Sequence, residues 1–362
     1  MILNRMEQNA GTRFLFILAL VVIVIAGLRA GAPILLPFAL ALFLAILTLP
    51  MVVWLQQRRV PRGLSVLLAV LADIAVFGLM ILLAGQSIND FEGKADRYGT
   101  RLASLWITWT EKLSVSEFPG AAALSSYLDL DNFDFSPVFD LARETVFTVF
   151  SFASNAFLVF LILIFILGEA TVFPAKFRAI LGREQGHSSR LTKIVTEIQE
   201  YLGIKTFTSL ATGILLGSWC WILDLDFPVL LGLIAFLLNY VPTIGSIIAS
   251  VPAILLGLIL FSPGYAVIVG AGYFVVNLGF GNLIEPNLLG RRLGLSTLVV
   301  ILSLIFWGWV WGPVGALLAV PLTMIVKIML ENTSDLKWVS ILLDKAPPDP
   351  RAGEVVVEEL VD

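Results

Sequence analysis

One carboxylate stands alone in a long apolar stretch of the sequence. Glu285 is the only acidic residue between positions 226 and 331, and Asn277, Gly281 and Glu285 are spaced at i, i+4 and i+8. In an α-helix, residues at this spacing share one face. An ionisable group within or at the edge of an apolar helix is costly to place there, so Glu285 is the first candidate for function.

Glu285 can act in more than one way. It can carry a proton or a sodium ion, or accept hydrogen bonds from a hydroxylated solute. A structural alternative is an ion pair with Arg291 or Arg292, which follow it closely in sequence. Amide side chains that can add polar contacts to such a site are Asn239, Asn282 and Asn287.

The composition excludes an ordinary soluble enzyme. Of the 362 residues, 58% are hydrophobic and only 14% are charged, and the mean hydropathy is +0.94. Soluble domains have about 45–50% apolar and about 25% charged residues. The net charge is −4 and the basic residues form no continuous patch, so we expect no nucleic-acid partner.

The sequence offers no pattern for catalysis. One cysteine and one histidine cannot form a disulfide framework or a Cys/His metal set. Cys220 is predicted to be a buried packing residue, and His187 a solvated residue of a polar stretch. We find no phosphate-binding Gly-rich loop and no nucleophile with a base at recognisable spacing. We therefore expect no enzyme, no cofactor and no metal site.

The hydrophobic pattern predicts an all-α polytopic membrane protein. A spanning helix needs roughly 20 mostly apolar residues. The runs that qualify are Phe14–Leu28, Ile34–Leu55, Leu64–Ala84, Val146–Leu167, Phe207–Leu223 and Ala266–Ile284. Phe227–Phe261 and Leu295–Leu330 are too long for one helix, and Pro and Gly break each near its middle. We predict about six full transmembrane helices plus two Pro/Gly-broken hairpins.

Basic residues set the predicted orientation. Positively charged loops stay in the cytoplasm. Two loops are rich in Lys and Arg, one after the second run and one after the fourth; their basic residues are Arg58, Arg59, Arg62, Lys176, Arg178, Arg183, Arg190, Lys193 and Lys205. Both termini are then cytoplasmic, and each hairpin must return to the side that it entered from.

The two hairpins form a predicted inverted repeat. Each contains a Pro- and Gly-bearing break and follows a full span, and the two are entered from opposite sides of the membrane. Inverted repeats with broken helices are typical of secondary transporters, whose solute sites lie at the repeat interface. Purely structural kinks are the alternative. The break residues added to the candidate site are Pro242, Thr243, Gly245, Trp311, Pro313 and Gly315.

An apolar heptad lies in the segment predicted to be outside the cytoplasm. Its members are Ile88, Phe91, Ala95, Tyr98, Leu102, Leu105 and Trp109. The helix either covers the protein's own outer surface or forms a homo-oligomer contact through Phe91–Trp109.

The predicted sections of the chain are the first three spans (1–85), the segment outside the cytoplasm (86–145), the fourth span with an interfacial helix (146–206), the two repeat units (207–262 and 263–331) and a cytoplasmic tail (332–362).

Four stretches resemble a known family. They are residues 239–245 (NYVPTIG), 281–287 (GNLIEPN), 294–300 (GLSTLVV) and 307–315 (WGWVWGPVG), the last continuing to Pro321. With the order of spans, they make the chain similar to the autoinducer-2 exporter family, also called PerM-like permeases, and above all to its enterobacterial autoinducer-2 transport subgroup.

The resemblance implies a multi-pass protein of the bacterial inner membrane. It also implies export of autoinducer-2, a small polyhydroxylated quorum-sensing signal. Similar family members are linked to sodium/proton or lithium/proton antiport. Many relatives carry an acidic residue about five positions before Glu285, where this chain has Phe280, which favours a polar solute over a cation. An envelope scaffold without transport activity is the third hypothesis.

Overall fold

The computed structural model describes residues 10–115, 156–170, 185–242, 244–289, 295–331 and 337–344. Within these ranges every regular element is a helix. The second half of the segment predicted to be outside the cytoplasm, residues 116–145, lies outside the described residues, as do Thr243 and the tail beyond position 344.

The helices follow the chain in an order close to the predicted one. They are α1 (Ala10–Ala30), α2 (Ala32–Gln57), α3 (Arg62–Val115), α4 (Ala156–Ala170), α5 (Gln185–Ile222), α6 (Pro228–Leu238), α7 (Ile244–Leu260), α8 (Pro263–Asn277), a π-helical segment (Leu278–Ile284), α9 (Glu285–Leu289), α10 (Thr297–Glu331) and α11 (Lys337–Leu343).

Four stretches of helix among the described residues are long and apolar enough to cross a membrane. They are Ala32–Gln57, Arg62–Ser87, Pro263–Leu288 and Thr297–Glu331. Large apolar side chains on these helices are exposed, for example Val267 and Phe274, because lipid rather than water surrounds them. The prediction of an all-helical, multi-pass membrane protein is confirmed. The number of about six spans and the inverted repeat stay predictions.

The chain divides into two compact units. One contains Met1–Val70, Ala156–Leu202 and Arg291–Asp362, and the other contains Leu71–Asn155 and Gly203–Gly290. We call them unit 1 and unit 2 and describe each by itself.

In unit 2, helices α5 and α6 cross at glycines. Gly213 and Gly217 stand four residues apart on α5, and a Cβ on Gly232 of α6 would press against the backbone of both. Small residues at this spacing let two membrane helices approach closely. The core beside this crossing includes Leu216, Ile234 and the predicted packing residue Cys220.

The first predicted hairpin is present in unit 2. Helix α6 ends at Leu238 and α7 begins at Ile244, and the two helices pack on each other. A Cβ on Gly245 would overlap the Leu238 carbonyl oxygen, so the turn requires glycine at that position.

The second break lies in unit 1, within α10. Gly312 has φ 67° and ψ −153°, which is not helical. The Trp307 indole Nε1 donates a hydrogen bond of 3.1 Å to Thr323 Oγ1, although sixteen residues of straight helix would separate the two by about 24 Å. The two arms of α10 therefore fold back on each other as a hairpin.

Helix α3 extends well beyond its apolar part and contacts the loop between α5 and α6. Lys94 Nζ lies 2.8 Å from Asp226 Oδ1, and Tyr98 donates a hydrogen bond of 2.6 Å to Asp226 Oδ2. The loop itself holds Asp224 and Phe227 at positive φ, and such conformations persist only where the surroundings enforce them. Tyr98 of the predicted heptad is thus buried against its own chain. The homo-oligomer alternative stays a prediction.

The Asp226 contact predicts a pH-dependent stability. Burial alone would raise the pKa of the Asp226 carboxyl, but hydrogen bonds from Lys94 and Tyr98 hold it below its ordinary value. The stabilisation that these contacts give to the folded protein is therefore complete above about pH 3.9, the ordinary Asp pKa. It is lost as the pH falls through the lower pKa that Asp226 has in the folded protein. We expect Asp226→Asn to cost about 1–2 kcal/mol of unfolding free energy at pH 7.

Thermal unfolding of the detergent-solubilised protein, measured between pH 7 and pH 3, checks this prediction. The difference between wild type and Asp226→Asn should shrink as the pH falls. Asp224→Asn is the matched control, because Asp224 is an exposed neighbour and asparagine tolerates positive φ. A difference that stays constant with pH would contradict the assignment.

Candidate functional site

A lysine and a glutamate form a buried ion pair in unit 2. Lys205 Nζ lies 2.7 Å from Glu285 Oε1 and 2.9 Å from Oε2. The Lys205 side chain is only 4% exposed and that of Glu285 is 17% exposed. Transfer of either charge alone out of water would be very costly, so the close contact between the two side chains offsets the cost of burying them.

The partner of Glu285 differs from the sequence expectation. Lys205 was assigned by charge counting to a cytoplasmic loop, whereas it lies within α5 and is buried. The expected alternatives, Arg291 and Arg292, lie outside the described residues. Charge counting failed here because a lysine that ends a basic stretch looks like the last residue of the loop.

Lys205 begins a polar face of helix α5. Lys205, Thr208, Ser209 and Thr212 are spaced at i, i+3, i+4 and i+7, and none is more than 3% exposed. Residues at this spacing form a single stripe along a helix. This stripe is absent from the predicted site, although its spacing is visible in the sequence, since polar residues recurring at this period in an apolar helix indicate a buried polar surface.

The break of the first hairpin is held against this polar face. Asn239 Nδ2 donates a hydrogen bond of 3.0 Å to Ser209 Oγ, and the Tyr240 hydroxyl donates one of 2.8 Å to Thr206 Oγ1. Asn239 is therefore brought to the same part of unit 2 as the polar stripe. Of the other predicted break residues, Pro242 is half-buried and Gly245 is buried.

A π-helical segment leads into Glu285. Helix α8 ends at Asn277, the chain then follows π-helical turns to Ile284, and α9 begins at Glu285. Single π-helical turns occur frequently at functional sites. The wider turn changes the angular spacing between Asn277, Gly281 and Glu285 from that of the α-helix assumed in the prediction, and their shared face stays a prediction.

The polar residues near Glu285 do not all face inward. Asn277 is half-buried, whereas Asn282 and Asn287 are exposed. Glu285 has a charge partner in the described part of the chain, Lys205. Their part in a solute site stays a prediction.

The remaining predicted residues belong to unit 1. Trp311 is buried and its indole Nε1 donates a hydrogen bond of 3.0 Å to the Leu28 carbonyl. Gly315 packs against the Trp307 carbonyl oxygen, which leaves no room for a Cβ, and Pro313 is exposed. Within unit 1, Trp311 therefore ties α10 to α1, and Gly315 lets the two arms of the α10 hairpin pack closely.

The structure combines apolar helices of spanning length, broken helices and a charged pair within the helical core. This combination defines a polytopic membrane protein with a polar interior. The sequence profile described as AI-2E family transporter matches residues 15–335. The chain belongs to this family, whose members are transport proteins and not enzymes.

Curated relatives agree with this membership. The chain is 37% identical over 336 residues to the AI-2 transport protein TqsA of Escherichia coli K12, covering 92% of this chain and 96% of TqsA. A relative from Haemophilus influenzae, named provisionally as a transport protein, is 36% identical and covers 93% of this chain and 98% of its own length. The provisionally named transport protein YhhT of E. coli K12 is 32% identical, at 95% and 97% coverage.

The buried pair predicts an asymmetric effect of mutation. Lys205→Met leaves the Glu285 carboxylate without its buried partner, so we expect it to cost about 3–5 kcal/mol of stability. The double variant Lys205→Met/Glu285→Leu removes both charges and should recover most of this loss. Unfolding of the purified protein in detergent measures both values.

Lys327→Met is the matched control for this comparison. Lys327 is also largely buried, but its partners Glu331 and Asp344 are more than a third exposed, so water can solvate them after the change. We expect a loss of less than about 1 kcal/mol. A Lys205→Met protein as stable as this control would show that the pair is not formed.

Proposed function

We propose that this protein exports a small, uncharged, polyhydroxylated solute from the cytoplasm, and that autoinducer-2 is this solute. The name of the relative TqsA, an AI-2 transport protein, supports the substrate. The arrangement of basic loops supports a place in a bacterial inner membrane with both termini in the cytoplasm.

The buried polar face of α5 carries the proposal. Hydroxyl and amide groups inside an apolar, membrane-embedded protein are costly unless they bind each other, water or a solute. Ser209 and Thr212 are both buried on this face, next to a hairpin break whose Asn239 reaches Ser209. Thr208 is excluded from this surface, because its hydroxyl donates to the Lys205 carbonyl of its own helix. Such a surface suits a molecule with several hydroxyl groups.

The geometry of Glu285 favours a neutral solute over a cation. Both carboxylate oxygens lie within 2.9 Å of the Lys205 ammonium. A sodium ion at Glu285 would have to displace this ammonium or share the carboxylate with it, and the two cations would repel each other. Position 280 is a phenylalanine, where the family resemblance implies an acid in many members. The pair is thus best suited to organise the polar interior.

Flux of autoinducer-2 into proteoliposomes that contain the purified protein tests the proposal. We expect the wild type to transport autoinducer-2 faster than empty vesicles, and Glu285→Gln to reduce this flux at least about tenfold because Lys205 is left unpaired. Glu331→Gln, which changes an exposed acid, should transport like the wild type.

The same vesicles distinguish the competing functions. Flux that needs a pH gradient identifies a proton-coupled exporter, and flux without one identifies a facilitator; both support solute export. Folded wild-type protein that moves no autoinducer-2 overturns the proposal. Sodium/proton or lithium/proton exchange by that protein would then establish antiport, and the absence of all three fluxes would favour a scaffold.

A further inference from the structure

Within the proposed export function, we infer that Thr212 binds a hydroxyl group of the transported solute. The inference therefore rests on the function proposed above and adds a specificity-determining residue to it. It comes from one buried side chain whose hydroxyl has no hydrogen-bond partner in the described part of the chain.

Thr212 is 1% exposed, and its Oγ1 has no hydrogen-bond partner among the residues that the structure describes. Threonine in a helix can usually bond a backbone carbonyl of the preceding turn. Thr208, one turn earlier and equally buried, does so with the Lys205 carbonyl at 3.1 Å. The unused hydroxyl is therefore particular to position 212 and does not follow from burial on this helix.

The position of Thr212 continues the polar face of α5. It follows Ser209, whose hydroxyl is bonded to Asn239, by three residues, and it follows Lys205 by seven. The neighbouring residue, Gly213, packs directly against the backbone of α6. Thr212 thus lies where the polar stripe ends and the tightly packed helix crossing begins.

A second unused group lies further along the same face. The indole Nε1 of Trp219 is buried with no hydrogen-bond partner in the described part of the chain, and its ring lies against Gly272 of α8. Thr212 and Trp219 are seven residues apart, which places them two turns, or about 10 Å, apart on one side of α5. Two unused groups on one helix face mark a track along which a polar molecule can bind.

The chemistry of the two groups defines what the track accepts. A threonine hydroxyl donates and accepts hydrogen bonds, whereas an indole N–H only donates. Hydroxyl and carbonyl oxygens of a neutral molecule can accept from both. A metal cation cannot be bound by an N–H donor, so this part of the protein selects for a polyhydroxylated solute against sodium or lithium.

The test compares Thr212→Val with Thr208→Val in proteoliposomes and in thermal unfolding. Valine has the shape of threonine without the hydroxyl. We expect Thr212→Val to keep or raise the unfolding temperature, because it removes an unsatisfied group, and to raise the half-saturating autoinducer-2 concentration about tenfold. Thr208→Val, which removes a satisfied hydroxyl, should lower the unfolding temperature and change half-saturation less than about twofold.

Thr212→Ser keeps the hydroxyl and should transport like the wild type. If the wild type transports autoinducer-2 and Thr212→Val has the same half-saturating autoinducer-2 concentration, the role of Thr212 is overturned and the export function stays intact. A Thr212→Val protein that unfolds at a lower temperature, as Thr208→Val should, would show a structural role and also overturn the inference. A folded wild type without autoinducer-2 flux would overturn both proposals together.

Discussion

A lysine buried within the helical core of a membrane protein must be neutralised where it lies, and this requirement organises unit 2. Lys205 on α5 contacts both carboxylate oxygens of Glu285, so the end of the π-helical segment has to reach the same point. Eighty residues separate the two side chains in sequence. Because neither charge can remain buried without the other, the pair fixes the position of the chain leading into α9 relative to α5.

The rest of the polar interior is built along the helix that carries this lysine. The stripe from Lys205 to Thr212 receives the break of the first hairpin through Asn239 and Tyr240, and the glycine crossing with α6 begins at the next residue, Gly213. Polar and close-packed sections thus alternate along α5. A transported solute needs this combination, because polar groups must be available to it while the surrounding helices exclude water and ions.

Sequence patterns could predict the local features and could not predict the long-range pairings. Pro and Gly marked the breaks at residues 239–243 and at Gly312, because backbone restrictions act on a few neighbouring residues. Glu285 was found because a carboxylate in an apolar stretch is rare. Its partner Lys205 is absent from the prediction, since periodicity carries no information on which distant side chain it will meet. The π-helical segment has wider turns than the 3.6 residues per turn that the prediction assumes.

Exchange of the two charges is the most direct test of this organisation. Lys205→Glu and Glu285→Lys, each made alone, place two like charges in contact within the helical core, and we expect both the amount of folded protein in the membrane and the autoinducer-2 flux to collapse. The exchanged protein Lys205→Glu/Glu285→Lys restores an opposite pair and should recover both to within about tenfold of the wild type. Single variants that fold and transport like the wild type would contradict the central place of the Lys205–Glu285 pair.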